Sequence, residues 1–252
     1  MLATAEKLSV AVHASELIQR DVRPLAIARA MEQVVPGLRL EWEVSQEGVP
    51  LHVANRDAWL LAGTPDGGFP LVCNGDELHP VTLHGLASPP KSSGNGTSGL
   101  SVHAKLPLDA VVRAQSASLL EHVAEAAHAR WGHATPWNSL VEIVEQMARP
   151  VRGPHVPPRG LPILQLSKDL RSPEVPHHLG WINYWSAATA QLLGFPSPTL
   201  DSEWLPRARR THGGGWLLQL TDEPLNLDEP AHLATLLRAY ERFPEIGGRT
   251  PS

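Results

Sequence analysis

Apolar and polar residues trade places with a two-residue period at residues 79–85 (HPVTLHG) and 100–106 (LSVHAKL), the signature of half-buried strands. Between them, residues 86–99 (LASPPKSSGNGTSG) consist of turn formers with little to bury, so the pattern predicts two antiparallel neighbours joined by a loop. Further strands are expected at residues 8–13, 38–44, 70–73, 162–166 and 216–220, with a helix over 24–35 between the first two. Asp109 is placed to cap a helix whose apolar residues Val112, Leu119, Leu120, Val123, Ala127 and Trp131 recur near every 3.6 positions. Thr135-Pro136 reads as the N-cap and first position of a second helix that buries Trp137, Leu140, Val141, Val144 and Met147. These two helices are expected to form a hairpin over 109–148. In the C-terminal third, Trp181, Trp185, Ala188 and Leu192 share one face of an expected helix that Gly194 and Pro196 stop, and a last helix starts at Pro230.

Strands and helices interleave without the regular period of a doubly wound sheet, which predicts an α+β fold with a mostly antiparallel sheet flanked by helices, in one or two subdomains. The Pro-rich stretch 150–162 (PVRGPHVPPRGLP) is the natural connection. It separates an N-terminal α+β region, 1–149, from a C-terminal α+β region, 163–252.

The 252 residues are 42% hydrophobic and 19% charged, too apolar for a disordered chain. A formal net charge of -5 lacks the basic excess of a dedicated nucleic-acid binder, so no direct nucleic-acid binding is expected. The single cysteine, Cys73, excludes an internal disulfide framework and a Cys-rich zinc site, and reads as a buried, inert thiol in a reducing, cytoplasmic setting. The N-terminal residues lack a basic leader, and nothing approaches 18 consecutive apolar residues, so neither export nor membrane association is expected.

Thirteen histidines invite a metal hypothesis, but none pair at the i, i+4 or i, i+3 spacing that helical ligands need. His177 and His178 are adjacent, and neighbours on an extended chain point to opposite faces. No metal or other cofactor is therefore assigned. No nucleophile elbow, P-loop or dinucleotide-binding turn occurs, and Gly213-Gly214-Gly215 precedes a strand rather than following one, as a simple turn would. The acidic residues Asp222, Glu223, Asp228 and Glu229 fall within eight positions free of Lys and Arg, just before the last helix. Residues 149–171, by contrast, carry Arg149, Arg152, Arg159, Lys168 and Arg171 against Asp169 alone. Such an acidic edge can speed association with a basic partner. Of the eight tryptophans, Trp181, Trp185 and Trp216 are assigned to the C-terminal core, and Trp204 is a candidate anchor beside the acidic edge.

The segments HHLGWINYWS (177–186) and RRTHGGGWLLQLTDEPLNLDEPAHL (209–233) resemble bacterial immunity proteins of the immunity protein 52 family. The whole chain is also similar to a related bacterial group of unassigned function, through stretches such as GTPDGGFPLVCNGDE (63–77) and WGHATPWN (131–138). The immunity resemblance covers about a quarter of the chain and implies a non-enzymatic protein that binds and silences a polymorphic toxin, typically a nuclease with a restriction-endonuclease-like fold. It brings no catalytic residue. The expected toxin-binding residues are Asp222, Glu223, Asp228, Glu229 and Trp204. The competing expectation is a metal-dependent hydrolase built on His79, His84, His103 or His133, the first three of which lie on paired strand segments.

Overall fold

The structure is a computed structural model that describes residues 6–90, 96–148, 154 and 156–249. Ten strands form one sheet: β1 (Lys7–Ser15), β2 (Trp42–Val44), β3 (Pro50–His52), β4 (Phe69–Cys73), β5 (Thr82–Ser88), β6 (Gly99–Pro107), β7 (Trp131–Pro136), β8 (Ile182–Trp185), β9 (Ala208–Arg210) and β10 (Trp216–Gln219). Their spatial order is β3-β2-β4-β5-β6-β1-β7-β8-β10-β9, and each of these neighbouring pairs is antiparallel. The helices are α1 (Arg23–Val34), α2 (Arg56–Ala62), α3 (Ala110–Ala126), α4 (Trp137–Val144), α5 (Ala187–Leu192) and α6 (Pro230–Arg242). The fold is α+β with an antiparallel sheet, as the sequence predicts. Pairing of β7 with β8 carries the sheet across the Pro-rich stretch. Residues 91–95, 149–153 and 155 lie outside the described residues, and with them part of the expected loop, part of the Pro-rich connection, and Arg149 and Arg152.

Two rows of side chains define the sheet's faces. Val12, Gly132, Tyr184, Leu217 and Arg209 stand opposite one another across β1, β7, β8, β10 and β9, and the ion pair of Arg209 with Glu121 turns this face toward α3. On the other face Ala11, His13, Trp131 and His133 point away from α3, and Lys105 reaches the ring of Trp137 at the start of α4, its Nζ 3.8 Å from the ring centroid. Both faces are covered, so β7 and β8 are buried at every position. Trp181 and Trp185 are fully buried, Trp216 partly so; Trp185 meets Phe195 and Phe243 with ring centroids 5.4 and 4.9 Å away.

Five expectations are corrected. Helix α3 is capped by Asp109, whose carboxylate accepts the Val112 N–H, but ends at Ala126, and Trp131 opens β7 instead of extending the helix. Thr135 lies in β7, where its hydroxyl meets the Trp181 N–H and His133; Pro136 precedes α4, and α3 and α4 lie on opposite faces of the sheet rather than forming a hairpin. Residues 182–185 form β8, with Ser186 capping the short helix α5, because the central sheet needs a partner for β7 that is apolar on both sides. Residues 162–166 run extended outside the sheet, held by Leu164 N–H to the Gln146 carbonyl and Gln165 N–H to the Gly247 carbonyl. Of residues 38–44 only Trp42–Val44 is strand.

Candidate functional site

The acidic edge lies between β10 and α6. Asp222 pairs with Arg207 at 2.9 Å, Glu223 with Arg113 at 3.0 Å, and Asp228 with Arg159 at 2.7 Å, while the exposed Glu229 occupies the position before α6. Three of the four carboxylates thus carry an arginine that the local sequence does not reveal, because Arg113 and Arg159 arrive from α3 and from the Pro-rich stretch. Beside the edge, a groove of about 290 Å³ is lined by Ala117, Arg207, Arg209, Leu217 and Asp222 among others. Trp204 is 2% exposed, packed in the core near Phe243, so it is a core residue and not an anchor that a partner can reach.

A second concentration of polar chemistry lies on the sheet face away from α3. His84 and His103 are register partners on β5 and β6, and the row continues through Ala11 to His133. His13, two residues beyond Ala11, stacks on Trp131 with ring centroids 3.9 Å apart, and His177 meets both rings, 5.0 Å from His13 and 4.6 Å from Trp131. His133 meets His178 at 4.6 Å. The adjacent pair His177 and His178 therefore splits between two neighbours of one cluster, each facing a different ring.

Burial, reinforced by the neighbouring imidazoles, keeps this cluster neutral. It holds His13 and His133 well below the ordinary histidine range, His103 at about 4 and His177 at about 3, while burial alone holds His178 at about 4. Hydrogen bonds fix several rings: His13 Nδ1 to Ser101 Oγ at 3.0 Å, His133 Nδ1 to Thr135 Oγ1 at 3.0 Å, and His178 Nδ1 donating to the Leu179 carbonyl at 3.2 Å. His79 stands apart in an exposed turn, 3.7 Å from Asp76. The structure thus brings together His84 and His103, places His133 farther along their row, and leaves His79 outside.

A third cluster joins α3 to the turn between β9 and β10. Glu121 and Glu125 occupy consecutive turns of α3, and the glycine turn folds over them. Gly213 donates its N–H to Glu125 Oε1 at 2.6 Å, Arg209 pairs with Glu121 Oε2 at 2.5 Å, and His212 Nδ1 lies 3.5 Å from Glu121 Oε1. Burial would raise the Glu121 pKa, but its hydrogen bonds with Arg209 and the His212 N–H, with the nearby charges, hold it below the usual carboxylate range. The Tyr184 phenol is pushed up to about 12 by burial and by Glu125 and Glu121. Among the described residues, these are the three metal-capable side chains whose ligand atoms all fall within 4.8 Å of one another. Sequence reasoning missed them. Their one local signal is the i, i+4 glutamate pair; His212 joins it only through the sheet.

Residues 19–251 match the family described as Domain of unknown function (DUF5953). The chain belongs to this family. No curated protein matches its sequence. A solved structure, the Pseudomonas aeruginosa T6SS protein PA0821, is similar in fold with a TM-score of 0.57 and 14% identity, covering 94% of this chain and 73% of that one. At that identity the likeness is one of architecture.

In this DUF5953 chain the four carboxylates are exposed in the segment between β10 and α6, and Trp204 is buried in the core. No helix of the described residues is long and apolar enough to cross a membrane.

Proposed function

We propose that this chain is a non-enzymatic immunity protein that binds and neutralises a cognate toxin, and that the toxin is a nuclease. The supporting observation is the fold shared, over nearly the whole chain, with a T6SS protein. The resemblance of residues 177–186 and 209–233 to the immunity protein 52 family points the same way.

A nuclease must present a basic groove to phosphates, and Asp222, Glu223, Asp228 and Glu229 offer that groove an acidic counterpart. Their arginine partners do not disqualify them. Arg113 and Arg207 are substantially exposed, and exposed ion pairs are weak enough to exchange one partner for another. The pairs also hold Asp222, Glu223 and Asp228 in defined places before a partner arrives, which lowers the ordering cost of association.

The test is co-expression with the product of the adjacent gene, followed by pull-down and growth rescue. Nanomolar binding with rescue supports immunity. Failure of both leaves the likeness to the T6SS protein as one of fold.

A further inference from the structure

We propose that Glu121, Glu125 and His212 bind one divalent transition-metal cation of the zinc type, which fastens the β9–β10 turn to α3. This site is independent of the acidic edge and of the toxin reading.

The argument begins with the helix. Residues four apart lie one above the other, so Glu121 and Glu125 put two carboxylates side by side on the face of α3 that meets the sheet. Glu121 is 3% exposed, and two adjacent carboxylates there repel unless cations or donors compensate them. The protein gives each a close donor on one oxygen and gives Glu121 a longer one on its other. Arg209 takes Glu121 Oε2 and the Gly213 amide takes Glu125 Oε1, which leaves Glu121 Oε1 with a long, 3.4 Å contact from the His212 amide.

The third ligand arrives at a suitable distance. His212 Nδ1 is 3.5 Å from Glu121 Oε1, and a tetrahedral cation with bonds of about 2.1 Å sets its ligands about 3.4 Å apart. His212 is 93% exposed, so its ring closes on a cation without disturbing the core.

A separate observation lies on the same face of the sheet. Thr211 is 6% exposed, and its Oγ1 is buried with no hydrogen-bond partner in the protein. The Thr211 N–H continues the ladder to the Gly215 carbonyl, and Thr211 lies two residues beyond Arg209, so strand alternation directs its side chain to the α3 face that Arg209 uses to reach Glu121. A buried hydroxyl without a partner is costly. Three protein ligands leave a zinc-type cation a position for water, and that water supplies the missing partner.

Donor chemistry selects the cation. Two carboxylate oxygens with one imidazole suit zinc and similar first-row ions, whereas magnesium and calcium prefer oxygen alone. Arg209, which touches Glu121 and not the cation, is the positioning residue.

The experiment uses the untagged full chain, stripped with a chelator and titrated calorimetrically with Zn(II), with Co(II) absorption as a spectroscopic readout. Expected is one equivalent bound in the micromolar range and a zinc-dependent rise in Tm. His212→Ala and Glu125→Gln each weaken binding about tenfold or more, and His79→Ala leaves it unchanged. His212→Ala alters an exposed side chain, so its folding is not in question. Binding no tighter than millimolar, or equal binding by His212→Ala, overturns the proposal; the second result assigns the cation to other histidines.

Discussion

His84 on β5 and His103 on β6 stand directly opposite one another, their rings stacked with centroids 5.4 Å apart. They open a run of imidazoles that crosses four neighbouring strands and ends against His177 and His178. Rings this close are tolerated only while uncharged.

That condition makes stability pH-dependent. The folded-state values of about 4 for His103 and His178 and about 3 for His177 lie below the value of 6.5 for an unfolded histidine, so the unfolded chain binds more protons in between. The contribution of His103 and of His178 is complete above pH 6.5 and is lost as pH falls through about 4, on the order of 3 kcal/mol for each when titration is complete, and that of His177 is lost toward about 3. Denaturant melts between pH 7.5 and 4 should show the midpoint falling, and His103→Leu should make the fall shallower. A midpoint independent of pH refutes the prediction.

Charge reversal of Asp222, Glu223, Asp228 and Glu229 to lysine should weaken toxin binding and flatten its salt dependence. Exposed ion pairs contribute little to stability, so the variant should remain folded by circular dichroism. Unchanged affinity moves the interface elsewhere.

Trp204→Ala should act on stability, lowering it by about 3–5 kcal/mol, because it empties a core position against Phe243. The fraction that stays folded should bind toxin with the affinity of the parent chain. Selective loss of affinity at full stability contradicts the burial of this residue.

Asp201 is 0% exposed, receives Arg242 Nε at 2.6 Å and accepts the Ser197 N–H. Asp201→Ala leaves that arginine without its partner and should cost about 3–5 kcal/mol, read as a large drop in Tm. Asp201→Asn keeps one acceptor oxygen, which in the Oδ2 position accepts the Ser197 N–H and Arg242 Nη2 but leaves Nε facing an NH2, and should recover part of the loss.

Legibility in the sequence follows burial. Strands β5 and β6 have one face more exposed than the other, and their alternation is visible in the residues. Strands β7 and β8 are buried on both faces, so Trp131–Pro136 and Ile182–Trp185 lack alternation. The spacing of Trp181 and Trp185 then matches a helix as well as a strand, and the helical reading fails. Capping at Asp109 and the start of α6 at Pro230 are local and read correctly. Candidate sites are less legible because their parts are distant. Arg113 reaches Glu223, and Arg209 reaches Glu121, through packing that spacing along the chain does not encode.

Strand β1 lies at the middle of the sheet, where Leu8 pairs with Leu106 on one side and with Pro136 on the other. Of the described strands it is the first to leave the ribosome, yet both of its partners are translated much later. Until β6 and β7 emerge, Leu8, Val10, Val12 and Ala14 form an unpaired, β-prone and apolar segment of the nascent chain. The central sheet therefore closes only after β7 has been made, and the interval before it is when a holding chaperone has most to protect.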